Sequence, residues 1–327
     1  MHRDTGRPLP PGARAAIISF DALGNYVVAT PLIQMLAQKG IEVHYFGGTR
    51  IAEFADNEPL VARHYPLFGS PLGAFSSEGP FDLVVNFENT AYAQVTAAQL
   101  AGENTLVVGP AVRPDGREPL PWPDTDLGRL AADPDWTAPD LTAKYPVLQS
   151  GFIGEIFCRL TGLDGPIPAP RVPLQPTASP ADVIVTATAK TPDKLWSAEN
   201  WVDLTDHLKS KGKTVGVVGA KPSEQGKFWT GGDAEAAMIA AGALDLRGLY
   251  TLPQVAGVLA SALRVVALDN GLLHMAAAVG AQSVGLYRHG IHRLWAPAVP
   301  NLKVLEPGPE RDVDQIPLAD VVKAVNL

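Results

Sequence analysis

The chain has 327 residues, 46% apolar and 18% charged, which is about two domains' worth of length with apolar mass for two cores. Acids outnumber bases 34 to 26, a formal net charge of −8, so a nucleic-acid backbone or an anionic bilayer is a poor electrostatic partner. The imbalance sits wholly in the first half: residues 1–165 carry 19 acids and 11 bases, residues 166–327 carry 15 of each. Cys158 is the single cysteine, which excludes a disulfide framework and a cysteine-based metal or iron–sulfur site. The first twenty residues hold no continuous apolar stretch of signal-peptide type, and the most apolar long window, Val255–Leu268, is too short to span a bilayer and contains Arg264. These features read as a soluble cytoplasmic protein.

Short β-branched runs alternate with helical patterns throughout, the signature of parallel sheets built from βα units. In the first half the expected strands are Ala15–Phe20, Ile41–Phe46, Asp82–Phe87 and Thr105–Gly109, and the expected helices are Tyr26–Lys39, Arg50–Asp56, Ala91–Ala101 and Gln149–Leu163. A polar, Pro-rich excursion runs from Pro110 to about Pro146. Residues 166–180, within the run GPIPAPRVPLQPTASP, form the predicted linker, because such proline density admits neither helix nor inner strand. The pattern then restarts. Strands are expected at Asp182–Ala187, Thr214–Gly219, Ala243–Arg247, Arg264–Leu268 and Gln282–Tyr287. Helices are expected at Glu199–Lys211, around Pro222–Ala241, and at Leu252–Ala262, Leu272–Val279 and Ile316–Val325. The organisation is α/β: two doubly wound domains, 1–165 and 181–327, the last helix being a candidate to pack back on the first domain.

Three strand-to-helix loops carry candidate chemistry. In Ser19–Tyr26, Asp21 could act as a general base at a strand end, and Asn25 reads as the N-cap of the first helix; the alternative makes both turn residues only. Asp269-Asn270-Gly271-Leu272-Leu273-His274 joins a strand, a Gly turn and a helix N-terminus, which favours an anion; the alternative makes Asp269 a cap and His274 a surface residue. Thr186–Trp196 combines hydroxyls with Lys190 and Lys194, groups that suit a pyrophosphate. Other patterns fail. Gly212-Lys213-Thr214 has His207 where a Walker motif needs its first glycine, and no G-x-G-x-x-G occurs. Asp124-Thr125-Asp126 reads as helix-capping acids, His289 and His292 as a loop pair with no nearby carboxylate, and Glu53, Asp56 and Glu58 as a solvated face.

The chain resembles glycosyltransferase family 9, the heptosyltransferases of the lipopolysaccharide inner core. Asp269-Asn270-Gly271-x-x-His274-x-Ala276-Ala277-Ala278, followed by Gly280 and strand Ser283–Tyr287, is similar to the family's D-T/S-G-x-x-H-x-x-A-A signature. Leu23-Gly24-Asn25-x4-Thr30-Pro31 is similar to its L-G-D…P segment; Lys194-x-Trp196 with Trp201, Arg247-Gly248-Leu249 and Trp295-x-Pro297 add to the match. The resemblance implies a GT-B fold, two Rossmann-like domains facing each other across a cleft, with acceptor on the first and sugar nucleotide on the second. It implies inverting, metal-independent transfer, with no cofactor beyond the nucleoside diphosphate sugar donor, ADP-sugar favoured. It also implies a glycan or glycolipid acceptor at the inner membrane surface. Carried over by residue, Lys194 and the amides of Asn270 and Gly271 hold the diphosphate, His274 assists, Thr188 contacts phosphate, Asp269 orients the loop, and Glu224 meets the ribose.

The departures bear on the reaction. Asn25 stands where the family has its catalytic Asp, and a carboxamide cannot accept the acceptor's proton; Asp21 is the nearest carboxylate in that turn. Asn270 replaces Thr or Ser, and Arg288-His289-Gly290 replaces a small threonine-rich turn. A non-catalytic sugar-nucleotide-binding protein and a GT-B epimerase are the alternative readings. An anionic acceptor on the acidic half further requires Arg63, Arg113, Arg117 and Lys144 to gather into a basic patch.

Overall fold

A run of apolar residues with no alternation, Ala15-Ala16-Ile17-Ile18, is fully buried at the centre of the first sheet, as expected for a parallel strand covered on both faces. The computed structural model describes residues 1–20, 22–67, 79–225, 227 and 229–327. These divide into two compact units, Met1–Pro170 and Arg171–Leu327.

In the first unit, strands β1 (Arg14–Ile18), β2 (Glu42–Gly47), β3 (Val61–Pro66), β4 (Phe81–Asn86) and β5 (Ala101–Val108) form one sheet in the order β3-β2-β1-β4-β5. Every pairing is parallel. Sequence reasoning missed β3, whose VARHYP sequence is polar and ends in proline, because an edge strand needs no apolar run. The turn after β4 passes close to the end of β5: a Cβ on Gly109 would lie 1.9 Å from the Asn86 carbonyl, and its φ of +84° also requires glycine.

The first helix, α1 (Leu23–Gln38), starts three residues earlier than expected. Its N-cap is Ala22, with no side-chain bond, so Asn25 lies inside the first turn and is not the cap. Pro31 sits within α1 and cannot donate to the Val27 carbonyl; the Thr30 hydroxyl donates to that carbonyl instead, at 2.7 Å. Helix α2 (Ala91–Leu100) follows β4, and α3 (Ile153–Leu160) packs on α1. Burial pushes the Cys158 thiol on α3 up to about 12, which leaves it inert.

In the second unit, β6 (Val183–Thr186), β7 (Val215–Val217), β8 (Leu244–Asp245), β9 (Arg264–Leu268), β10 (Ser283–Leu286) and β11 (Leu302–Leu305) form a parallel sheet. Its order is β11-β10-β9-β6-β7-β8. The half-exposed edge strand β11 went unread for the same reason as β3. Around the sheet lie α4 (Ala198–Ser210), α5 (Gly232–Ala240), α6 (Leu252–Ser261), α7 (Gly271–Ala278) and α8 (Leu318–Val325). The helical region expected around Pro222–Ala241 is two pieces, Pro222–Gln225 and α5. Trp196 and Trp201 anchor the core in an edge-to-face pair 4.9 Å apart, and Trp196 Nε1 donates to the Ile316 carbonyl at 2.9 Å. Helix α8 buries Val321, Ala324 and Val325 in this same core, so its apolar stripe is used within its own unit.

Both sheets wind outward in two directions, from β1 and β4 in the first unit and from β6 and β9 in the second. The carboxyl ends of those strand pairs are the topological switch points, where open α/β sheets bind ligands. Trp201→Ala removes a fully buried indole and is expected to destabilise the second unit by about 3–5 kcal/mol. A loss below 1 kcal/mol in urea unfolding would contradict this account of the core.

Candidate functional site

At the second switch point, β9 ends at Leu268 and leads into Asp269 and Asn270. Asn270 caps α7: its Oδ1 accepts from the N–H groups of Leu272 and Leu273 at 3.0 and 3.1 Å. The cap is therefore Asn270 and not Asp269. Its amide nitrogen reaches across to the end of β6, donating to Thr186 Oγ1 at 2.6 Å and to the Thr188 carbonyl at 2.9 Å. A serine or threonine could cap the helix but would have one O–H to donate where the amide nitrogen makes two bonds. One carboxamide thus holds the two switch-point loops together.

Asp269 is buried and faces two potential cations. Lys194 Nζ donates to Asp269 Oδ2 at 2.6 Å and approaches the Asp269 carbonyl at 3.4 Å. His274 Nε2 stands 3.6 Å from Oδ1, beyond hydrogen-bond reach but within electrostatic range. Burial alone would raise the Asp269 pKa; His274 and Lys194 outweigh it and bring it down to about 2. The Lys194 side chain retains 22% exposure and has one further donor. Two buried polar atoms in this region have no partner among the described residues, His274 Nδ1 and the Tyr287 hydroxyl. Burial, then the Asp269 charge, pushes that phenol well above its ordinary range.

Arg288, in the turn that departs from the family pattern, pairs with Asp193 and so ties the end of β10 to the turn that carries Lys194. Three of the other expected binding residues find places here: Thr188 and Gly271 in the bonded loops and Lys194 on the carboxylate. Glu224 lies exposed on the short helix Pro222–Gln225 with no side-chain bond to this cluster. The nearby buried acid is Glu235, held by Gln225 at 2.8 Å and Arg247 at 3.4 Å.

The first switch point carries a residue that sequence reasoning overlooked. Glu88 lies two residues after the end of β4, and its Oε1 accepts from Asn25 Nδ2 at 2.8 Å and from the Phe20 N–H at 2.9 Å. Its backbone is locked by the fully buried Asn86, which accepts from the Glu88 N–H at 2.9 Å. Asn86 Nδ2 donates to the carbonyls of Glu88 and Pro110 at 2.9 and 2.6 Å. Only the strand order makes Glu88 a neighbour of Asn25, 63 positions away. Asp21 lies outside the described residues.

The remaining motifs resolve structurally. Arg129 bridges Asp124 and Asp126. His292 and the Gly290 N–H meet the carboxylate of Glu306, which corrects the reading of that histidine pair as lacking a carboxylate. Glu58 is buried and accepts from the Leu60 N–H, and Asp56 pairs with His64, so that face is not simply solvated. No group of three metal-binding side chains occurs among the described residues. Of the bases that an anionic acceptor would require, Lys144 pairs with Asp133, Arg113 pairs with Glu118, and Arg63 lies over the Tyr65 ring. Among the described residues no helix is long and apolar enough to cross a membrane.

Residues 169–313 match the family model for glycosyltransferase family 9 (heptosyltransferase). The fold is similar to that of a family 9 glycosyl transferase from Veillonella parvula DSM 2008, at 13% identity over 96% of each chain with a TM-score of 0.73. It is also similar to E. coli heptosyltransferase WaaC with ADP, at 18% identity over 95% of this chain and 98% of that one, TM-score 0.62. A third likeness is to E. coli ADP-heptose lps heptosyltransferase II, at 16% identity over 96% and 97%, TM-score 0.64. At these identities the structures establish the fold, a GT-B type with two Rossmann-like units. No curated protein matches the chain. The family model supports the resemblance to family 9, and with it a glycosyltransferase, over residues 169–313, and the likeness to the solved structures shows the fold over the whole chain.

The Asp269 carboxylate has a pH signature. Its lowered pKa stabilises the fold by about 2 kcal/mol above pH 5, a contribution that disappears as the pH falls towards 2. Asp269→Asn should therefore be less stable than the wild type at pH 7, with the gap narrowing between pH 5 and 2. A gap independent of pH in denaturant titrations would contradict the pairing.

Proposed function

We propose that the chain transfers a sugar from a nucleoside diphosphate, ADP-heptose being the favoured donor, to an acceptor hydroxyl with inversion and without a metal. One observation carries the reading: Lys194 and the amide end of α7 converge, through Asp269 and Asn270, at the switch point of the second sheet. Asp269 engages Lys194 through its carboxylate and its carbonyl and aims the ammonium, leaving one donor for a phosphate oxygen. The cap uses the N–H groups of Leu272 and Leu273, while those of Asn270 and Gly271 have no acceptor among the described residues. Those two amides and the helix dipole suit the same anion.

As the sugar–phosphate bond breaks, negative charge grows on the leaving diphosphate. Lys194 and the two amides, already oriented, stabilise that charge without reorganising. His274 adds charge when protonated, and Thr188 offers a hydroxyl to the phosphate. Glu224 is the candidate for the ribose. Attack from the face opposite the leaving group gives inversion. The acceptor is a glycan or glycolipid met at the inner membrane surface, with the enzyme cytoplasmic. Its contact with the first unit is through hydroxyls, since an anionic acceptor would meet the excess of acids in that half.

ADP and ADP-heptose should raise the unfolding midpoint more than GDP- or UDP-sugars do. Lys194→Met should weaken ADP binding about ten- to a hundred-fold, the worth of a charge-assisted contact. Titration calorimetry in which Lys194→Met binds ADP as the wild type does would sink the site.

A further inference from the structure

We infer that Glu88 is the general base of the transfer, replacing the carboxylate that the first helix lacks at position 25; this assignment rests on the proposed function. Asn25 occupies the base position of the L-G-D-like segment and cannot accept a proton. Its carboxamide instead donates to Glu88 Oε1 at 2.8 Å, so a carboxylate stands one hydrogen bond from that position. The acid has moved from α1 to the turn after β4, and the amide has taken its place.

The surroundings favour a working carboxylate. Both donors, Asn25 Nδ2 and the Phe20 N–H, converge on the same oxygen, Oε1, leaving Oε2 without a hydrogen bond among the described residues. No cation pairs with Glu88 among those residues, so its charge is not consumed by an ion pair. The residue is half-buried, open enough to meet an acceptor. Its main chain is fixed on both sides by Asn86, and the Phe87 N–H extends the sheet ladder to the Ile18 carbonyl at 2.9 Å. A merely solvated loop glutamate would need none of this framework. Asn25 is a positioning residue: an aspartate there would face a second carboxylate at hydrogen-bond distance, and the pair would share a proton.

The step balances. The acceptor oxygen forms a bond to the anomeric carbon of the donor sugar while the bond from that carbon to the diphosphate oxygen breaks. The electron pair leaves with the diphosphate, and the acceptor's hydroxyl proton passes to Glu88 Oε2.

The test compares wild type, Glu88→Gln, Asp21→Asn and the double variant Asn25→Asp/Glu88→Gln. ADP release from ADP-heptose is measured with water and with heptose-free lipopolysaccharide as acceptors, alongside the thermal shift produced by ADP. Glu88→Gln keeps an oxygen for both donors and removes only the basicity. It should lose at least about 100-fold in turnover with an unchanged ADP shift. The double variant restores a carboxylate at position 25 and should recover turnover at least about tenfold over Glu88→Gln; a purely structural role for Glu88 predicts no such rescue. Glu88→Gln turning over like the wild type, or Asp21→Asn losing turnover while Glu88→Gln keeps it, would overturn the assignment. So would a wild type that binds ADP yet never turns over. A wild type with no ADP shift would overturn the donor reading, and the assignment with it.

Discussion

The second unit is organised around one buried carboxylate. Asp269 leaves the end of β9 in a place where an unpaired charge would be expelled, and it stays ionised because Lys194 and His274 face it. That pairing reaches from the β9 loop to the turn after β6, 75 residues away in sequence. It fixes the Lys194 ammonium beside the loop that leads into α7. Arg288 secures the same turn from the other side through Asp193. The turn that departs from the family pattern is thus part of the support for Lys194.

Carboxamides join the strands at both switch points. Asn270 links the ends of β9 and β6 and caps α7 with its remaining oxygen. Asn25 and Asn86 do comparable work in the first unit, holding Glu88 by its side chain and by its main chain. An amide carries two N–H donors and an acceptor on one rigid plane, so it can bridge two loops where a hydroxyl has a single O–H to donate and a carboxylate has none. The two Asn departures, at positions 25 and 270, both have structural partners that an aspartate or a threonine would not make in the same way.

Most of the winding was legible in the residues. Inner strands such as Arg264–Leu268 announce themselves as apolar runs, and α4, α6 and α7 begin within two residues of their expected starts. Edge strands β3 and β11 were not legible, because half-exposed edges need no apolar signature. The candidate site was legible only where it is local. Asp269, Asn270, Gly271 and His274 lie in one strand-to-helix segment and carry their own signal, and Lys194 lies in a loop whose hydroxyls and lysines suit a pyrophosphate. Glu88 lies in a short link with nothing to mark it, and its significance comes from β4 being placed beside β1. Asn25 was misread as a cap for the same reason: its partner is distant in sequence, while the cap reading needs only its neighbours.

The excess of acids lies in the first half of the chain, and the buried Lys194–Asp269 pair lies in the second unit. The most direct test of this division is a crystal structure of the protein with ADP-heptose. The account predicts the diphosphate within hydrogen-bond distance of Lys194 Nζ and the Gly271 N–H, with Lys194 still on Asp269. A diphosphate bound elsewhere, with Lys194 and the head of α7 untouched, would contradict it.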